Sequence, residues 1–246
     1  MPKSRSFAGF SPKMLSFFRG LAKNNKREWF AAKKPAFEEF VKGPMLEVVG
    51  VINDSLRSFA ADYICEPAHK AIYRIYRDTR FSKDKTPYKL HMAAHFQRAG
   101  ITKNAGAGYF FAVSHTGVEI AGGMYMPGPE ELAAVRGAIA ADAKRASEIL
   151  NDRKVAKKVG PLLGEKLKRL PKGFEALAGT KAEEHLKAKQ WYWHITLPAE
   201  VALSKKLAGE VVSRFKLMQE GVEWLNDAVL AARGEEEVVK RPEAMW

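Results

Sequence analysis

Apolar positions recur at helical spacing in the first part of the chain and then switch to a period of two. Ser11-Pro12 reads as an N-cap followed by proline in the first turn, with Leu15, Phe18, Leu21 and Ala22 on one face up to Asn24. A second helix carries Trp29, Phe30, Phe37, Phe40 and Val41 and ends near Gly43-Pro44. A third runs from Met45 to about Ala60, with Leu46, Val49, Ile52, Asn53 and Leu56 on one side. Beyond it, Ala71–Arg77 reads as a strand. In Tyr88–Gln97, Tyr88, Leu90, Met92, Ala94 and Phe96 alternate with Lys89, His91, Ala93, His95 and Gln97. Tyr109–Ser114 and Val118–Tyr125 flank His115-Thr116-Gly117 as the two arms of a hairpin. Gln190–Leu197 alternates Trp191, Trp193 and Ile195 with Tyr192, His194 and Thr196. Pro129–Ala141, the basic stretch 142–169 and a long closing segment 199–232 read as helices.

Short turns between consecutive strands require antiparallel pairing, and segregated helices and strands give an α+β fold. The expected architecture is a central antiparallel sheet of about five strands with helices packed on it, N-terminal helices and a long C-terminal helix. Without an internal repeat or a long linker, residues 1–246 read as a single domain. No apolar run reaches the roughly 20 residues of a membrane span, and the N-terminus has no apolar stretch of signal-peptide type. One cysteine, Cys65, excludes an internal disulfide and a cysteine-rich zinc site. A cytoplasmic protein without a membrane partner is expected. The sequence sets no oligomeric state.

Charge sharpens this picture. The chain carries a formal net charge of +13, which favours anionic partners. Residues 69–103 hold nine Lys/Arg against Asp78 and Asp84, with aromatic residues among them. The densest part, Arg74 to Tyr88, joins two of the expected strands. Guanidinium forks recognise phosphate or carboxylate bidentately, and lysine adds point charge. Arg74, Arg77, Arg80 and Lys85 are therefore candidate ligands for an anion, with Asp78 orienting an arginine, Asp84 a lysine, and Tyr88 or Tyr125 hydrogen-bonding or stacking. The competing interpretation is a set of structural ion pairs and turn contacts.

Several other groups carry weaker signals. Asp78 and His91 are the candidate acid–base groups for a hydrolase or transferase acting on a phosphorylated substrate, although no nucleophile is fixed. His91 and His95 share a strand face but lie roughly 13 Å apart, too far to bind one metal directly. No metal and no cofactor are called for, and no phosphate-binding glycine loop or dinucleotide fingerprint is present. Gly122-Gly123 fits a bulge or a close ligand approach. Trp191-Tyr192-Trp193 fits core packing or a stacking platform. Asn24-Asn25 with Glu28 resembles a capping box. Non-specific nucleic-acid binding over a broad basic face is a further alternative, marked by steep salt dependence. Whether the protein is an enzyme stays open.

The pattern R-x-x-R-D-x-R-F-x-x-D-K-x-x-Y, running from Arg74 to Tyr88, resembles the signature of the bacterial family called domain of unknown function 2461. Asn24-Asn25-Lys26-Arg27-Glu28-Trp29-Phe30, Gly122-Gly123-Met124-Tyr125-Met126-Pro127, Lys172-Gly173-Phe174 and Leu186-Lys187 extend the resemblance over nearly the whole chain. It implies a single-domain bacterial protein of unestablished activity and carries over no catalytic residue. It also implies that Arg74, Arg77, Asp78, Arg80, Phe81, Asp84, Lys85 and Tyr88 belong to the part that defines the family.

Overall fold

The computed structural model describes residues 5–101 and 105–234. Helix α1 spans Pro12–Lys23 and opens as its sequence requires: Ser11 is extended, and its hydroxyl accepts from the Lys13 N–H. Helix α2 spans Arg27–Phe37 and α3 spans Gly43–Leu56. Strands β1 (His91–Gln97), β2 (Gly108–Ser114), β3 (Val118–Met124) and β4 (Trp191–Leu197) form one antiparallel sheet in the order β1-β2-β3-β4. Helices α4 (Pro129–Ala141), α5 (Ala143–Leu150), α6 (Arg153–Lys158) and α7 (Glu183–Leu186) fall between β3 and β4 in sequence. Helix α8 (Leu207–Arg233) ends the described chain. The α+β architecture is as expected, with N-terminal helices and a long C-terminal helix. Among the described residues, no helix is long and apolar enough to cross a membrane.

The sheet has four strands, not five. Residues 71–77 pair with the chain around β1 only through isolated bridges, Ile72 with Ala94 and Tyr76 with Tyr88. Four residue steps from Ile72 to Tyr76 face six from Tyr88 to Ala94. That mismatch leaves two extra residues on one side, so no regular ladder forms. Two further boundaries differ. Gly43-Pro44 does not end a helix: residues 38–42 form a π turn, the Gly43 N–H donates to Glu38 O, and α3 starts at once. A five-residue hydrogen-bond step placed here accommodates a proline that has no N–H to give. The basic stretch 142–169 is helical only through α5 and α6, and an irregular segment with positive-φ glycines at 160 and 164 follows.

Contacts divide the chain into two compact units. The first comprises residues 5–96, 110–120 and 196–213. Its buried side chains include Phe17, Phe18, Leu21, Phe30, Phe37, Met45, Ile52 and Leu56 of the first three helices, Val41 of the short segment before α3, and Phe96 and Phe111 of the sheet. The hairpin turn forms as expected: the Ser114 N–H donates to Gly117 O at 3.0 Å, and the Ser114 hydroxyl receives the Gly117 N–H.

The second unit comprises residues 97–101, 105–109, 121–195 and 214–234. Trp191 and Trp193 are fully buried, which settles their role as core. Gly221 makes room for Trp193, since a Cβ there would lie 2.2 Å from the indole. Gly122 and Gly123 are likewise spoken for by the protein itself. A Cβ on Gly122 would meet the Met218 side chain at 3.0 Å, and one on Gly123 would meet Trp191 O at 2.3 Å. Gly123 also sits at φ 126°, so Gly123 serves the β3–β4 approach and Gly122 the packing of Met218 from α8.

Candidate functional site

The signature loop is built on aromatic packing in the first unit. Tyr88 ends it and is buried, its ring stacked on Phe30 of α2 at 4.2 Å. Tyr76 lies 5.2 Å from Tyr88 and 6.3 Å from Phe30, at the outer end of a cluster that continues through Phe37 to Phe17. Asn25, just before α2, fastens the same point. Its Nδ2 donates to Tyr88 O at 2.9 Å, and its Oδ1 accepts the Tyr88 N–H at 3.1 Å. The expected capping box is not formed: the N-cap of α2 is Lys26, without a side-chain cap, because the Asn25 amide is committed to Tyr88. Sequence reading missed this contact. The only available signal was that both residues lie in the segments that resemble the family.

Between these anchors the loop fixes its own charges. Arg77 donates to the Asp84 carboxylate and to the Thr86 hydroxyl. Asp84 also receives the Thr86 N–H at 2.9 Å. The Thr86 N–H above all, then the Arg77 guanidinium and the Thr86 hydroxyl, pull the Asp84 pKa down from its ordinary 3.8 to about 2. The residue that Asp84 orients is thus an arginine, not the lysine expected. Lys85 turns instead to Thr79 O, at 2.9 Å.

Arg80 is held from one edge. Its Nε and Nη2 donate to Asp78 at 3.1 and 2.8 Å, and its backbone N–H reaches the same carboxylate at 3.2 Å. The Arg80 hydrogen bonds lower the Asp78 pKa to about 2, with a smaller contribution from the charge on Arg74. Asp78 therefore orients an arginine, as expected. A carboxylate in this state is a weak base at neutral pH. The Arg80 side chain stays 77% exposed, and its guanidinium lies 5.6 Å from the ring of Phe81, which is 95% exposed. Arg74 is exposed on the same loop.

The remaining candidates lie elsewhere. His91 is on β1, and burial holds its pKa below the ordinary imidazole value; Glu119 partly opposes that shift and Lys89 adds to it. Tyr125 belongs to the second unit, where it meets Tyr192 edge-on at 5.1 Å. Among the described residues, no group of three or more His, Cys, Asp or Glu is placed to hold a metal ion. The sequence suggested a pocket, but the arginines lie on an exposed loop. Two cavities, of about 580 and 500 Å³, are lined by residues of α4 and α8 and by Arg5, Gly50, Asn53, Glu66, Pro67 and Ala68 respectively, and neither includes the loop.

No curated protein matches the chain, and no solved structure matches it. A family model does, over residues 13–224, which includes all but the first residue of α1, all of α2 and α3, the loop and the whole sheet. The protein therefore belongs to the DUF2461 family, described as a conserved hypothetical protein.

Proposed function

We propose that residues 74–89 bind an anionic, phosphate-bearing ligand on the face that carries Arg80. The observation behind this reading is that Arg80 is both fixed and exposed. Asp78 takes Nε and Nη2, and the side chain is 77% exposed, which leaves Nη1 for a ligand without the entropy cost of ordering a free arginine. Arg74, Lys83, Lys85 and Lys89 add positive charge to the same segment, which carries six basic side chains against two acids. Arg77, engaged with Asp84 and Thr86, shapes the loop. Tyr88 supports it from beneath. Catalysis by Asp78 gains no support, because a carboxylate held near pKa 2 is poorly suited to take a proton from substrate.

Calorimetric titration with tripolyphosphate tests the reading. Wild-type protein is expected to bind, and Arg80→Ala to weaken binding about tenfold or more while its circular dichroism is unchanged. Equal affinity in a folded Arg80→Ala variant would refute the assignment.

A further inference from the structure

We infer that the phosphate-bearing ligand of this loop is a single-stranded nucleic acid, whose bases stack on Phe81 and Tyr76 while its backbone lies along Arg80 and the neighbouring lysines. The inference rests on the anion-binding reading and adds an observation that charge does not explain. A site for a small anion has no use for exposed aromatic rings. Here the most exposed large apolar side chain among the described residues, Phe81 at 95%, directly follows the oriented arginine. Arg80 lies 5.6 Å from the Phe81 ring, so the guanidinium engages one region of the ring and leaves the rest open. Tyr76 is 53% exposed and backed by Tyr88 and Phe30, which fixes its ring while half of it faces solvent.

Aromatic rings interleaved with cations are the general requirement for single-strand binding: the cations follow the phosphates, and unpaired bases offer faces to the rings. A duplex hides those faces within its stack, so it satisfies only the cations. An acidic polypeptide has no planar bases and would likewise use charge alone.

Fluorescence anisotropy can separate these ligands. Labelled oligomers of about 15 nucleotides, a length near the upper site size for such surfaces, would be titrated with the full chain: oligo-dT, oligo-rU and an abasic strand of equal phosphate number. Duplex DNA and poly-glutamate serve as competitors. We expect at least one of oligo-dT and oligo-rU to bind well above the abasic strand, the tighter one naming the natural chemistry. Phe81→Ala should reduce that affinity roughly tenfold or more, and by clearly more than it reduces abasic-strand or tripolyphosphate binding. Because Phe81 is almost wholly exposed, its removal leaves the fold alone. Tyr76→Ala provides a second, independent loss.

Equal binding of base-bearing and abasic strands, with no effect of Phe81→Ala, would overturn the inference and leave anion binding standing. Competition by duplex or poly-glutamate as effective as that of the single strand would do the same. Failure of every oligomer and of tripolyphosphate to bind would overturn both.

Discussion

Asn25 and Tyr88, 63 positions apart, are joined at two points: the asparagine amide donates to the tyrosine carbonyl and accepts its N–H. A side-chain amide carries the same donor and acceptor as a peptide group, so it can substitute for a missing neighbouring strand. The device recurs. Asn53 pairs in the same way with Cys65, at 2.8 and 3.0 Å, and Asn226 with Ala107, at 3.0 and 2.8 Å. Each serves a backbone that no regular ladder reaches. In the signature loop the clamp fixes the end at which the buried ring of Tyr88 enters the core.

Removing that clamp should be costly. Asn25→Ala orphans both backbone groups of a buried residue, and we expect a loss of about 1–3 kcal/mol of stability by denaturant unfolding. Asn25→Asp keeps the acceptor and should fall between the wild type and Asn25→Ala.

The acids of the loop should behave differently. Both are exposed, so Asp84→Ala should leave the melting temperature nearly unchanged and instead speed hydrogen exchange at the Thr86 amide, which loses its acceptor. Asp78→Ala should do the same at the Arg80 amide. Because each acid titrates near 2 in place of 3.8, what it contributes is fully present above pH 3.8 and is lost only as the pH falls through about 2. The slow exchange of both amides should therefore persist through mild acid.

Histidines set the milder pH response. Burial lowers the pKa of His91, His115 and His185 below the ordinary 6.5. Unfolding lets each take up a proton, so the folded state is favoured above 6.5 and loses stability as the pH falls below it. Thermal unfolding followed from about pH 8 to about pH 5 should show this decline, and His91→Asn should make it shallower.

Much of the architecture could be read in the chain because it is locally encoded. Ser11-Pro12 supplies both the cap and the first-turn proline of α1, and His115-Thr116-Gly117 turns the hairpin with local hydrogen bonds. The alternation around Trp191 and Trp193 correctly marked buried positions. What could not be read depends on distant partners. Residues 71–77 alternate like a strand, yet their register against 88–94 is uneven, and nothing within seven residues reveals that. Asn24-Asn25 with Glu28 matches a local cap equally well, until Tyr88 competes for the amide. Within the loop, the density of arginine and acid was legible and so was an arginine partner for Asp78, though not that the arginine would be Arg80. That Asp84 would choose Arg77 over a lysine depended on Thr86 completing its shell.

The glycine pair gives a backbone test. At φ 126° and with Trp191 O only 2.3 Å from a built Cβ, Gly123 should not tolerate a side chain. We expect Gly123→Ala to destabilise the protein by about 1–3 kcal/mol or more, and Gly122→Ala, whose nearest contacts are Met218 side-chain atoms and not backbone, to cost less.

The central claim is that the outward edge of Arg80 receives an anion, and nuclear magnetic resonance tests it most directly. In a titration of ¹⁵N-labelled protein with tripolyphosphate, the Arg80 Nε–H and the backbone amides of Phe81, Lys83 and Lys85 should shift together and saturate. Saturating shifts confined to other parts of the chain, or none at all, would contradict it.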